Sequence, residues 1–98
     1  MEGLNGKKRR YLRGLGHSLD PVVQVGKEGV TDGVVAAVEQ ALLAHELIKV
    51  RCSSECAVDR KEVAASLAQA AGAEIAQTLG RTMLLYRAHP EKPRIVLP

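Results

Sequence analysis

The tetrapeptide Gly26-Lys27-Glu28-Gly29 is the arrangement in this chain best suited to hold an anion. It follows the apolar run Pro21-Val22-Val23-Gln24-Val25, which reads as a short buried strand. It precedes Thr31, a good N-cap for an amphipathic stretch from Asp32 to His45. A strand that ends in G-x-x-G and turns straight into a helix gathers several backbone N–H groups in one place. Both glycines can take positive φ, and neither carries a side chain that would keep a ligand at a distance. The first helical turn adds unpaired donors and a partial positive charge, so the junction suits a phosphate group. G-x-x-G alone is equally an ordinary tight β–α turn. Glu28 cancels Lys27 and Asp32 adds a carboxylate nearby, so attraction here must come from backbone dipoles and from cations elsewhere in the chain.

Those cations are concentrated. Of a net charge of +3 over 98 residues, the first 17 residues carry +4, from Lys7, Lys8, Arg9, Arg10 and Arg13 against Glu2 alone. The remainder is close to neutral, which points to a polyanion-binding face at the start of the chain. A helix is predicted from Gly6 to Leu15 with Asn5 as N-cap. Tyr11, Leu12 and Leu15 share one arc, and Arg9, Arg10 and Arg13 project from the other side. A solvated helix face is the plain alternative for the three arginines. Phe and Trp are absent and there are two tyrosines, Tyr11 and Tyr86. A sheet platform that stacks several bases needs more aromatic faces than this, so RNA would be held through phosphates and shape.

Length and composition point to one soluble domain of residues 1–98 with a single modest core; 46% of the residues are hydrophobic and 26% charged. No apolar run approaches the ~20 residues that span a bilayer, and the basic N-terminus has no apolar signal core behind it. A cytoplasmic protein with no membrane partner is therefore expected. Cys52 and Cys56 form a lone C-x-x-x-C, short of the four ligands zinc normally takes, and read as free thiols, Cys52 on a strand and Cys56 in a loop. His17, His45 and His89 fall in different elements and in no nucleophile or metal motif. Cys56 would need a nearby base to act as a nucleophile. No catalytic residue, metal, cofactor or small-molecule substrate is expected.

The remaining elements follow from periodicity. Helix two, Asp32 to His45, turns Val34, Val35, Val38, Ala41 and Leu42 inward, and strand two, Leu47 to Ser53, alternates Ile48, Val50 and Cys52 against Lys49 and Arg51. Asp59-Arg60-Lys61-Glu62 reads as an acidic capping box for helix three, which buries Val63, Leu67, Ala70 and Ala71 and stops at Gly72. Strands Glu74–Leu79 and Thr82–Arg87 flank a Gly80-Arg81 hairpin turn. Residues 89–98, with three prolines, form an extended tail with no assigned place. The order αβαβαββ makes an α+β domain, naturally closed as a four-stranded sheet covered by three helices.

Four segments carry a family resemblance: Gly6-Lys7-Lys8-Arg9-Arg10-Tyr11-Leu12-Arg13-Gly14-Leu15, Val22 to Thr31 through the glycine loop, His45-Glu46-Leu47-Ile48-Lys49-Val50, and Gly80-Arg81-Thr82-Met83-Leu84-Leu85-Tyr86-Arg87. In collinear order over residues 4–97, they resemble the bacterial YhbY-like proteins of the CRM (chloroplast RNA splicing and ribosome maturation) family. The resemblance implies a mixed four-stranded sheet similar in fold to the C-terminal domain of translation initiation factor three. It also implies RNA binding, with ribosomal RNA in precursors of the large subunit as the partner and ribosomal proteins nearby. The family's G-x-x-G loop falls on Gly26, Lys27, Glu28 and Gly29, continuing to Thr31, and its basic first helix on Lys7, Lys8, Arg9, Arg10 and Arg13. Lys49, Arg51, Arg81 and Arg87 are candidate flanking contacts; Arg81 could equally be a solvated hairpin tip and Arg87 the partner of a carboxylate. The competing function is a protein-interaction module whose basic helix docks an acidic assembly factor or ribosomal protein.

Overall fold

The computed structural model describes residues 4–56 and 58–98. Three helices and four strands follow the expected order: α1 (Gly6–Gly16), β1 (Pro21–Val25), α2 (Asp32–His45), β2 (Leu47–Cys52), α3 (Arg60–Ala71), β3 (Glu74–Leu79) and β4 (Thr82–Tyr86). The sheet order is β1-β2-β4-β3, with β1 parallel to β2 and the other two pairs antiparallel. The sheet is therefore mixed, as expected.

Helix starts follow their caps. The Asn5 side chain accepts from Lys8 N–H at 2.8 Å and the Thr31 hydroxyl from Val34 N–H at 3.2 Å. Asp59 caps α3 through Lys61 N–H at 3.2 Å, one position earlier than the capping box would have it. Two strand ends are shorter than expected. β2 stops at Cys52, where Ser53 crosses to donate to the Val25 carbonyl, and β4 stops at Tyr86, where Arg87 N–H turns to the Glu46 carbonyl.

Strand alternation sorts the core into two layers. Ile48, Val50, Cys52, Met83 and Leu85 meet α2 and α3 on one face, through Val38, Leu42, Val63, Leu67 and Ala71. Ala70, expected inward, is exposed, and Ala64 is buried in its place. On the other face Leu47, Ala76, Leu84 and Tyr86 are covered by Leu12 of α1 and by Ile95 and Leu97 of the tail.

α1 lies on its sheet face more closely than its apolar arc suggests. Tyr11 and Leu15 are exposed, and the buried positions are Leu12 and Gly16. A Cβ on Gly16 would stand 2.5 and 2.6 Å from the two methyls of buried Leu84, so the helix can only sit at this depth with glycine there. Gly16→Val is expected to destabilise the fold by about 2 kcal/mol through overpacking. Gly14→Ala, with open space around its Cβ, should stabilise α1 by up to about 1 kcal/mol from helix propensity. Denaturant midpoints of the two variants, moving in opposite directions, check this packing.

The tail, which the sequence leaves without an assigned place, is held by an acid at the end of α2. Glu46, fully buried, ends α2 at φ 63° and ψ −41°. Its carboxylate accepts three backbone N–H bonds from the tail: His89 at 2.8 Å, Arg94 at 2.7 Å and Ile95 at 2.9 Å. Burial alone would push this carboxyl up. The three donors and the Arg94 charge outweigh burial and hold it below the ordinary value of 4.5.

Candidate nucleic-acid interface

α1 covers only part of its sheet face. Beside it runs a groove of about 340 Å³ lined by Arg10, Arg13 and His17 from the helix side and by Lys49, Gln77 and Thr82 from the strands. Leu79, Leu84, Gly14 and Gly16 complete its walls, and among the described residues no carboxylate lines it. Two sequence features build this surface. Helical spacing brings Arg10 and Arg13 to one side of α1, and the period of two puts Lys49 and Arg51 on the face opposite Ile48 and Val50. A third feature is not visible in the pattern. The β3–β4 register shifts between Ile75 and Gln77, so Ala76 packs beneath α1 while Gln77 also reaches the groove.

Strand register extends the surface across the sheet. Gln24 pairs with Arg51, Arg51 with Thr82, and Thr82 with Leu79, so one row of residues crosses all four strands. Gln24 and Arg51 are exposed. Just beyond this row β1 ends and the glycine loop begins, so the row links groove and loop.

In the loop, Gly29 N–H donates to the Gly26 carbonyl at 3.0 Å, closing a tight turn with Lys27 and Glu28 exposed at its tip. Only one of the two glycines uses positive φ: Gly29, at 73° and buried, needs it, while Gly26 has an ordinary backbone. Thr31 serves the turn through its cap, its hydroxyl being engaged by Val34 N–H.

The other basic residues divide. Lys7 is exposed and Lys8 half-buried on the first turn of α1. Arg9 reaches the sheet, its Nε donating to the Ile75 carbonyl at 3.3 Å, which gives it a share in docking the helix. Arg81 lies at the glycine-loop end of the sheet, in a separate recess with Cys52, Cys56 and Arg60. Arg87 stands at the opposite end, where among the described residues it pairs with carbonyls and not with a carboxylate. Its guanidinium donates to the Ala71 carbonyl at 2.6 Å and the Glu39 carbonyl at 3.5 Å, joining the end of α3 to the middle of α2. The structure thus brings together Arg10, Arg13 and Lys49 in one groove, sets Arg51 in the register row that passes through the groove's Thr82, and separates Arg87 from them. His17 and Gln77 are groove residues that sequence reasoning missed: His17 lies just past α1, and Gln77 depends on the register shift.

No helix among the described residues is long and apolar enough to cross a membrane. Comparison with known proteins supplies the family. The family model of the CRS1 / YhbY (CRM) domain matches residues 4–87. The chain is 41% identical over 95 residues to "Probable RNA-binding protein YqeI" of Bacillus subtilis, covering 97% of this chain and 99% of that one. It is 38% identical over 98 residues to a Haemophilus influenzae protein named "RNA-binding protein", covering 100% and 98%. The solution structure of the hypothetical protein SAV1595 from Staphylococcus aureus superposes with a TM-score of 0.83 at 38% identity, over 97% of this chain and 99% of that one. The chain belongs to the CRS1 / YhbY (CRM) domain family.

Proposed function

We propose that this chain is a non-catalytic RNA-binding protein of the cytoplasm that associates with ribosomal RNA in precursors of the large subunit and assists their assembly. The observation that carries RNA binding is the groove in which Arg10, Arg13, His17 and Lys49 converge, with no carboxylate among its described wall residues. A phosphate backbone fits such a cation-lined cleft, and contacts of this kind position a strand without reading its bases. The names of the relatives from Bacillus and Haemophilus support RNA as the ligand class. The large-subunit assignment rests on the family resemblance of the sequence segments quoted above.

In this reading the strand lies in the groove, crosses the sheet over Arg51, and meets the glycine loop, where backbone N–H groups at the start of α2 take one phosphate. Lys7 and Lys8 extend the cationic path along α1, and Arg81 flanks the loop end of the sheet.

Crosslinking the protein to RNA in cells and mapping the crosslinked nucleotides tests the assignment. Crosslinks concentrated in ribosomal RNA of large-subunit precursors support it. Partners that persist after RNA digestion, with no such crosslinks, would turn the basic helix into a protein-docking surface.

The loop has its own test. Replacing Lys27 and Glu28 with two aspartates keeps both glycines and takes the tip from neutral to −2. RNA affinity should fall by about tenfold, ~1.4 kcal/mol, through repulsion of a phosphate near the helix N-terminus. The melting temperature should barely move, since both side chains are exposed. Undiminished binding in the double aspartate would leave Gly26–Gly29 as a turn only.

A further inference from the structure

The loop after β2 holds two thiols that the proposed RNA surface does not use. Cys52 is buried at the end of β2, with its N–H donating to the Arg81 carbonyl at 2.7 Å. The chain then reverses: Ser53 N–H donates to the Val25 carbonyl at 2.8 Å and Cys56 N–H to the Ser53 carbonyl at 3.2 Å. This turn brings Cys56 back beside Cys52 as a second free thiol, its Sγ donating to the Val58 carbonyl at 3.7 Å. Both line a recess of about 380 Å³ that also takes in Asp59, Arg60 and Arg81. Cys56 is half-buried, whereas Cys52 stands behind it at 4% exposure. Two thiols lining one recess, one accessible and one shielded, beside two guanidinium groups, match an attacking and a resolving cysteine.

We propose that Cys52 and Cys56 are a reversible dithiol–disulfide couple, oxidised by small-molecule disulfides. In the first step Cys56 loses its proton to solvent, and its thiolate attacks one sulfur of the oxidant. A protein–small-molecule disulfide forms and one small thiolate leaves. Cys52 then loses its proton and attacks the Cys56 sulfur. The Cys52–Cys56 bond forms, the second small thiolate departs, and two protein thiols have been oxidised as one disulfide is reduced to two thiols. The order follows from access: burial and the neighbouring Cys56 push the Cys52 thiol up, against a smaller opposing pull from Arg60. The new loop is short, so the bond should add little to global stability. It would stiffen the turn whose Val58 methyl lies 3.8 Å from the Cβ position of Gly29, directly behind the glycine loop. The couple does not depend on the RNA reading.

The test is incubation of the full chain with oxidised glutathione, followed by intact mass and peptide mapping. The parent should lose two hydrogen atoms, yield a linked Cys52–Cys56 peptide, and return to its starting mass on reduction. Cys56→Ser should form neither disulfide nor adduct under the same exposure, because Cys52 alone is shielded. Cys52→Ser should retain at least about tenfold more glutathione adduct on Cys56 than the parent, since the resolving thiol is gone. A parent that keeps a stable adduct without the linked peptide, that does not react, or that forms only intermolecular dimers overturns the proposal. Should Cys52→Ser fail to fold, the parent and Cys56→Ser decide the matter on their own.

Discussion

Replacing Arg10, Arg13 and Lys49 together with glutamate is expected to lower affinity for single-stranded RNA by more than about a hundredfold, ~3 kcal/mol, at one fixed salt concentration. Each substitution removes a cation from the same groove and adds an anion that repels phosphate. The fold should survive. Among the described residues none of these three side chains donates a hydrogen bond within the protein; Arg10 and Arg13 are exposed, where substitutions usually cost within ~0.5 kcal/mol each, and Lys49 is half-buried. Arg9 is left intact because its bond to the Ile75 carbonyl would mix a packing effect into the result. Binding curves and melts of the parent and the triple variant check this. Equal affinity in a folded variant would make the arginines a solvated helix face.

The largest effect on stability is expected from Glu46→Ala. The substitution removes the acceptor for three tail N–H groups. Hydrogen bonds to a charged group contribute about 1.5–3 kcal/mol each, and the tail can recover part of this by returning to water. A net loss of about 3 kcal/mol, or roughly 15 °C in melting temperature for a domain of this size, is the expected outcome. Release of the tail also uncovers the apolar layer that Ile95 and Leu97 close. Glu46→Gly separates two causes. It relieves the positive φ, a strain of about 1–3 kcal/mol for a residue with a Cβ, yet still deletes the clasp. The glycine variant should therefore melt above the alanine variant and below the parent.

The same clasp makes stability pH-dependent. Because the folded carboxyl is held below its ordinary value of 4.5, its contribution is fully present above that pH and is lost as pH falls through the folded value. Tyr86, which burial and the Glu46 charge push up, stays neutral throughout this range. Protection of the Arg94 and Ile95 amides, taken relative to the intrinsic exchange rate at each pH, should fall on acidification in the parent. It should be lost at every pH in Glu46→Ala. Protected tail amides in the alanine variant, with a melting temperature within about 2 °C of the parent, would contradict the clasp.

Local signals made much of the fold legible. The limits of α2 follow from the Thr31 cap and the uninterrupted apolar spacing between Val34 and Leu42. Alternation placed Lys49 and Arg51 on one face without knowledge of the sheet order. What was not legible depends on distant partners. Tyr11 and Leu15 share an arc with Leu12, but the depth of α1 is set by Gly16 against Leu84, 68 residues away. Glu46 follows a helix like any exposed acid, and its three donors lie 43 to 49 residues further on. Arg87 lies in a segment resembling the family, yet β4 ends one residue earlier and turns its guanidinium toward helix carbonyls. At the candidate site, the individual cations could be read from the sequence. Their convergence could not, because it requires α1 to lie across one particular sheet face.

The most direct measurement of that convergence is the salt dependence of RNA affinity, compared between the parent and an Arg10→Gln, Arg13→Gln, Lys49→Gln variant. For single-stranded RNA, log affinity should fall linearly with log salt by about 0.7 for each phosphate neutralised. The four or five basic residues of α1 together with Lys49 and Arg51, six or seven contacts at about 0.7 each, predict a parent slope of roughly −4 to −5. The variant should lose about 2 units of that slope, three contacts at about 0.7 each, with both lines still straight. A parent slope near zero, or a variant whose line runs parallel to the parent's, would contradict a phosphate-binding groove between α1 and the sheet.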